Sequence, residues 1–221
     1  MDQLGLEFKN PALLEEALTH RSYLNEHPEA RAHNERLEFL GDAVLELAVT
    51  DFLFRKYPEK QEGELTSYRA ALVNTSSLAT VARELALGEI IRLSRGEAKD
   101  TGRAREAILA DALEAVIGAL YLDGGYQAAD VFIRAHICAK LETIIAAKAY
   151  QDAKSRFQES AQQHRATTPH YELLAERGPD HAREFVVGAY LGTQEVSRGE
   201  GKSKQEAQLA AAEAALGKLG W

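Results

Sequence analysis

Glu35, Glu38 and Asp42 stand in the run Asn34-Glu-Arg-Leu-Glu-Phe-Leu-Gly-Asp42. On an α-helix the i, i+3, i+7 spacing stacks them on one face. Stacked like charges destabilise a helix by a few tenths of a kcal/mol per pair. No Lys or Arg of the same helix sits one turn away on that face to offset them. Leu37, Leu40, Val44 and Leu45 surround the acids with apolar neighbours. A second pair, Asp111 and Glu114, repeats the i, i+3 spacing among Leu113, Val116, Ile117 and Leu120. If the two segments face each other, four carboxylates meet, and such a cluster is stable mainly around a divalent cation. Hard oxygen ligands with no Cys or His among them suit Mg²⁺ or Mn²⁺. Acids at helical spacing are also the mark of a solvated face, and the spacing alone leaves the two readings level.

The elements that must position these acids read as helix after helix. Pro11-Ala-Leu-Leu-Glu-Glu-Ala-Leu has helical apolar spacing behind a proline suited to a first turn. Glu35 to Arg55 predicts a long helix ended by Tyr57-Pro58, and Thr66 to Leu85 a second. Leu87-Gly88 reads as a helix stop and Ile90 to Leu93 as an apolar link. Ala104 to Leu122 predicts a helix closed by Asp123-Gly124-Gly125, and Val131 to Ala149 a last one. No strand pattern precedes residue 150, so this half is expected to be all-α.

The period then changes. Ser155 to Gln163 is short and helix-like, while Tyr171 to Glu176, Glu184 to Leu191 and Gln194 to Glu200 suit strands. Ser203 to Leu219 is Ala-rich and helical, with Ser203 at the N-cap and Glu206 three residues on. The α-β-β-β-α order predicts a three-stranded antiparallel sheet with both helices on one face. Charge shifts at the same place. Of 26 basic and 34 acidic residues, nine of each lie from Lys154 onward. Residues 1–153 therefore carry the whole net charge of −8. The expected organisation is an all-α domain over 1–149, a linker over 150–154 and a small α+β domain over 155–221.

Composition narrows the class. With 45% hydrophobic and 27% charged residues the chain is globular rather than disordered. Its longest apolar stretch, Leu45 to Phe54, is interrupted by Glu46 and Asp51, too short for a membrane span. The N-terminus lacks the basic and apolar regions of a secretory signal. The lone Cys138 makes neither an internal disulfide nor a zinc pair, which points to a reducing, cytoplasmic setting.

The run Asn34 to Asp42 resembles the signature of the ribonuclease III family. Ala17-Leu-Thr-His-Arg-Ser-Tyr23, Glu62-Gly-Glu-Leu65, Arg69-Ala-Ala-Leu-Val73 and Ile108-Leu-Ala-Asp-Ala-Leu-Glu-Ala115 agree with it in order, and the resemblance extends from about Leu4 to Leu219. It implies that Glu38, Asp42, Asp111 and Glu114 hold Mg²⁺, with Mn²⁺ as a substitute. It also implies that Glu35 and Glu62 assist at the cleavage site, and that Phe39 makes a homodimer contact. On composition alone Phe39 is a core residue and Glu62 an exposed loop acid. His20 and Arg21 read as structural. The C-terminal part resembles a double-stranded-RNA-binding domain. There the resemblance assigns RNA contacts to Gln158 and Glu159, to Pro179 and His181 in the loop Gly178-Pro-Asp-His181, and to Lys202, Ser203 and Lys204. Two departures stand out: Gln205 where the family has a second lysine, and Ala153 where it has a proline. The first bears on phosphate contact, the second on linker stiffness.

The implied activity is Mg²⁺-dependent hydrolysis of double-stranded RNA to 5′-phosphate and 3′-hydroxyl ends. The implied biology is ribosomal RNA maturation and processing of structured mRNA and tRNA precursors. No membrane and no organic cofactor is expected. The alternative is a non-cleaving double-stranded-RNA-binding regulator, which would have no need of the four metal-ligand acids. A helical metallohydrolase of small phosphate esters is a weaker rival, since a small substrate needs no duplex-reading module.

Overall fold

In a computed structural model of the chain, which describes residues 7–30, 32–99, 102–147, 153–179 and 183–221, the helical periodicity of the first half resolves into α1 to α7. These are α1 (Pro11–Ala17), α2 (Glu35–Lys56), α3 (Glu62–Val73), α4 (Thr75–Glu84), α5 (Leu87–Ile90), α6 (Arg103–His136) and α7 (Leu141–Ala146). α1 starts as expected: the Asn10 side chain caps it by accepting from the Ala12 N–H, and Pro11 fills the first turn.

Three helix boundaries differ from the sequence reading. The single helix expected over Thr66–Leu85 is two, divided at Asn74. That residue is extended (φ −69°, ψ 155°), ends α3 and caps α4 by accepting from the Ser77 N–H at 2.9 Å. Its amide also donates to the Ala71 carbonyl at 3.0 Å, so one short polar side chain competes with the backbone on both sides. The stop expected at Leu87-Gly88 comes earlier, at Ala86, which takes a left-handed conformation (φ 55°); Gly88 lies inside α5. The closure expected at Asp123–Gly125 is a kink. Gly125 (φ 75°) turns the chain and α6 resumes to His136. The helix expected over Val131–Ala149 is accordingly broken at Ile137, with a 3₁₀ turn at Cys138–Lys140 before α7; Lys148 and Ala149 lie outside the described residues.

α2 and α6 make the most extensive helix contact in this unit. Leu45, Ala48, Val49, Leu113, Val116 and Ile117 are fully buried there. Leu40, read as a buried neighbour of the acids, is only half-buried. The helices touch backbone to backbone. A Cβ on Gly41 would overlap the Glu114 carbonyl oxygen, and one on Gly118 would overlap the Leu37 carbonyl oxygen. Two glycines on facing helices thus set the crossing within one turn of the acids.

The chain divides into two compact units, Met1–Tyr150 and Gln151–Trp221. In the second, α8 (Ala153–Arg165) precedes β1 (Pro169–Arg177), β2 (Glu184–Leu191), β3 (Gln194–Gly201) and α9 (Lys204–Leu219). α8 begins inside the stretch read as linker, so Ala153 and Lys154 are helical, and β1 starts two residues before the expected Tyr171. The sheet is antiparallel in the order β1-β2-β3, with a bulge between Leu173 and Ala175. Phe157 and Ala161 of α8 and Ala211, Ala212, Ala215 and Leu216 of α9 close over Ala189, Leu191 and Val196. The expected cap of α9 forms: Ser203 Oγ accepts from the Glu206 N–H at 3.1 Å. The Glu206 carboxylate returns a bond to the backbone N–H of Lys202 at 2.8 Å, one residue before the cap.

Candidate functional site

The acids come from two helices. Glu38 lies in the first turns of α2; Asp111 and Glu114 lie on α6, across the glycine contact. One carboxylate oxygen of each lies within 4.8 Å of the others, and all three residues are half-buried. Burial, reinforced by the charges of Asp42, Asp111, Glu38 and Glu46, pushes the Glu114 carboxyl up to about 8. Burial also raises Glu38, with Asp111, Glu35 and Asp42 adding to it. Burial raises Asp111 too, and the His20 imidazole draws it back. Like charges crowded into a partly dry site hold protons when no counter-charge is present. Here the donors are all carboxylate oxygens, lying within 4.8 Å of one another. That donor set suits a hard divalent ion, which takes the place of the protons on binding.

Asp42 is exposed and stands outside the close trio, yet its charge acts on both Glu38 and Glu114, placing it at the open edge. Glu35, one turn before Glu38, is exposed and paired with Arg21 at 3.3 Å. His33 lies 3.8 Å from its second oxygen. The sequence reading found no cation for this face because it looked along the helix, and the partner comes from the segment before it. Glu62 is exposed on the first turn of α3, accepts from the Thr66 hydroxyl at 3.0 Å and is not one of the trio. Arg69, quoted in the sequence only as part of a block, ties α3 to α2 by pairing with Glu46 at 3.0 Å and donating to Thr50 at 3.1 Å. Glu46 lies one turn beyond Asp42, a spacing that marks it as a neighbour of the acids. Phe39, read from composition as core, points outward and is 82% exposed.

In the second unit, Gln158 and Glu159 are exposed on α8 and line a shallow groove with Ser155, Gln162 and Gln163. Pro179 is exposed at the end of β1; His181 lies outside the described residues. Lys202 and Lys204 are exposed around the Ser203 cap, and the Lys204 ammonium sits 6.0 Å above the Phe185 ring. Lys202 and Lys204 flank the Ser203 cap at the N-terminus of a sixteen-residue helix, where their charges add to the positive end of the helix dipole. Gln205 is exposed beside them and supplies no charge.

Comparison with known proteins agrees along nearly the whole chain. Residues 10–141 match a family model described as Ribonuclease-III-like, and residues 153–219 one described as double-stranded RNA binding motif. Ribonuclease 3 of Symbiobacterium thermophilum is 48% identical over 215 residues, covering 97% of this chain and 91% of the relative. Ribonuclease 3 of Oceanobacillus iheyensis is 47% identical over 216 residues, covering 97% and 94%. The nuclease domain of ribonuclease III from Campylobacter jejuni, in a structure described by flexibility in its dimer-forming region, superposes with a TM-score of 0.54. It is 45% identical and covers 62% of this chain and 90% of that one.

Proposed function

The chain belongs to the ribonuclease III family, and from that premise we propose how its residues carry out the family's metal-dependent cleavage of double-stranded RNA. It is an endoribonuclease with a double-stranded-RNA-binding domain. The observation that carries the residue assignment is the carboxylate trio of Glu38, Asp111 and Glu114 within 4.8 Å.

In this reading Glu38, Asp111 and Glu114 give up their protons to hold Mg²⁺, with Mn²⁺ as a substitute, and Asp42 completes the set from its exposed edge. A divalent ion held there supplies Lewis acidity, both to activate a water for in-line attack on phosphorus and to neutralise charge on the leaving 3′-oxygen. Glu35 holds Arg21 at the rim, and Glu62 assists from α3. The expected ends are 5′-phosphate and 3′-hydroxyl. Gln158, Glu159, Lys202, Ser203 and Lys204 deliver the duplex, reading A-form shape and phosphates more than sequence. One chain carries one acid cluster, so cutting both strands calls for a two-fold homodimer. An exposed apolar face supports that: Phe39, Leu47 and Phe54 on α2, Leu122 and Val131 on α6. The proposed setting is the cytoplasm, in ribosomal RNA maturation and processing of structured mRNA and tRNA precursors. A non-cleaving binder is not favoured, because the relatives that match the full chain bear the name of the enzyme.

The test is incubation of a long end-labelled RNA duplex, and of its single strand, with Mg²⁺ and with EDTA. Short duplexes appearing only with Mg²⁺ and only from the duplex are the expected result. A stable complex without cleavage, in Mg²⁺ and Mn²⁺ alike, would overturn the residue assignment.

A further inference from the structure

Among the described residues, Arg21 is the one Lys or Arg paired with any of the acids assigned to the cleavage site. The pair is half-made. A single nitrogen, Nη1, spans both Glu35 oxygens at 3.3 and 3.5 Å. Arg198 shows the full two-nitrogen grip: its Nε and Nη2 hold the two Glu195 oxygens at 2.7 and 3.2 Å. Nε and Nη2 of Arg21 have no partner among the described residues. The Arg21 and Glu35 side chains are 70% and 47% exposed. An exposed pair of this geometry contributes little net stability and opens readily.

The backbone beneath the pair is fixed. Arg21 opens a 3₁₀ turn over Arg21–Asn25, capped by His20 Nδ1, which accepts from the Ser22 N–H at 3.3 Å. The His20 N–H donates to the Arg92 carbonyl, and the Ser94 N–H to Ser22 Oγ, each at 3.0 Å. The Thr19 carbonyl accepts from the Asn34 N–H at 2.9 Å, and the Asn34 carbonyl from the Glu38 N–H at 2.8 Å. Arg21 is thus a long, solvated side chain on a rigid base, and that base is bonded to the turn of α2 that carries Glu38. Glu35 and Glu38 share a helix face at a spacing that sets their Cβ atoms about 5–6 Å apart. A guanidinium touching Glu35 is therefore within a side chain's reach of the carboxylate trio.

We propose that Arg21 is an RNA-binding residue of the cleavage site: as the duplex enters, its guanidinium leaves Glu35 and holds a backbone phosphate flanking the scissile bond. The inference rests on the metal-site reading above, which fixes where the scissile bond lies. Glu35, Glu38, Asp42, Asp111 and Glu114 outweigh the charge of one divalent ion, so a phosphate strand meets net negative charge at this rim. Arg21 is placed to offset it, and the planar fork of a guanidinium matches two phosphate oxygens. The same exchange frees the Glu35 carboxylate for the assisting part proposed for it.

The experiment compares full-length wild type with Arg21→Ala, Arg21→Lys, Lys140→Ala and Glu114→Gln. It measures binding of an RNA duplex in Ca²⁺ across a salt series, and Mn²⁺ binding to the protein alone by electron paramagnetic resonance. Each phosphate contact contributes about 0.9 to the slope of log affinity against log salt. Arg21→Ala should flatten the slope by about that amount and weaken binding roughly fivefold at about 0.15 M salt. Arg21→Lys, which keeps the charge, should keep the slope. Lys140→Ala should keep it too, since Lys140 pairs with Glu84, outside the site's acids. Mn²⁺ binding in Arg21→Ala should be as tight as in wild type or tighter, because a positive charge beside the acids has gone. A wild-type slope in Arg21→Ala would overturn the Arg21 inference alone. An equal flattening in Lys140→Ala would reduce it to a general charge effect and defeat it. Weaker Mn²⁺ binding in Arg21→Ala would make the residue a brace for the acids instead of an RNA contact. Wild-type Mn²⁺ binding in Glu114→Gln would overturn the metal-site reading, and with it the placement of Arg21 beside the scissile bond.

Discussion

At the scale of single residues, the site works through carboxylates that resist ionisation. Glu114 shows it most clearly. Its carboxyl is pushed up to about 8, first by burial and then by four neighbouring acids. An acid raised in the folded state favours folding while it is protonated. That contribution is full below the unfolded value near 4.5 and is lost as pH rises through about 8. Metal-free protein should therefore lose thermal stability between pH 6 and pH 9. Mg²⁺ should restore more of it at pH 9, where fewer protons must leave. Glu114→Gln, neutral at every pH, should flatten that decline while reducing cleavage by about a hundredfold or more, since a ligand should matter at least as much as its supporting partners. Scanning calorimetry across pH with and without Mg²⁺, beside a cleavage assay, checks both. An unchanged decline in the variant would remove Glu114 from the cluster. The acids were legible in the sequence because helical spacing and the family signature name them. Arg21 and Arg69 escaped such a reading because each pairs across space with an acid of α2 from another segment, which spacing along one helix does not reveal.

At the scale of elements, the site depends on how closely α2 and α6 approach. The acids sit on rigid helices, and Gly41 and Gly118 let the backbones meet beside them. A methyl group at either position would collide with a backbone carbonyl, and neither helix can yield locally without moving its acids. Overpacking of this kind costs about 1–3 kcal/mol or more. Gly41→Ala should therefore lower stability by about 3 kcal/mol in urea unfolding, and the surviving folded fraction should need more Mg²⁺ for cleavage. Gly63→Ala serves as the control, because a Cβ there meets nothing within 4 Å. Equal stability of the two variants would show that the crossing is loose. Helix identities were readable from apolar period, but their ends were less so. Asn74 breaks a continuous pattern through side-chain bonds to Ala70 and Ala71, and Ala86 stops a helix without the glycine that usually marks such a stop. The crossing itself was invisible, since Gly41 reads as a weak helix residue until its partner on α6 is known.

At the scale of the whole molecule, the two units divide the work by charge. Residues 1–153 carry the whole −8 and residues 154–221 are neutral, with lysines gathered at one helix end. An acidic half repels a phosphate backbone unless cations are bound, which is in keeping with the proposed metal cluster and with the proposed delivery by the second unit. This division was legible from composition alone. The face of α2 opposite its buried stripe was not, because Phe39 sits in an apolar run that reads as core and is instead 82% exposed. With Leu47 and Phe54 at 59% and 70%, it gives α2 a second apolar face that a lone chain leaves in water. A two-fold interface would bury two Phe39 rings, one from each subunit. Burying one such ring contributes about 1.5–3 kcal/mol. Losing two corresponds to on the order of 10²–10⁴-fold in dimer dissociation. Phe39→Asp should accordingly sediment as a monomer at concentrations where wild type is a dimer. The acids of each folded monomer remain intact, so RNA binding in Ca²⁺ should persist through the second unit while paired cuts in both strands disappear. A Phe39→Asp dimer as tight as wild type would place the subunit contact elsewhere, and a monomeric wild type that still cuts both strands in register would remove the need for one.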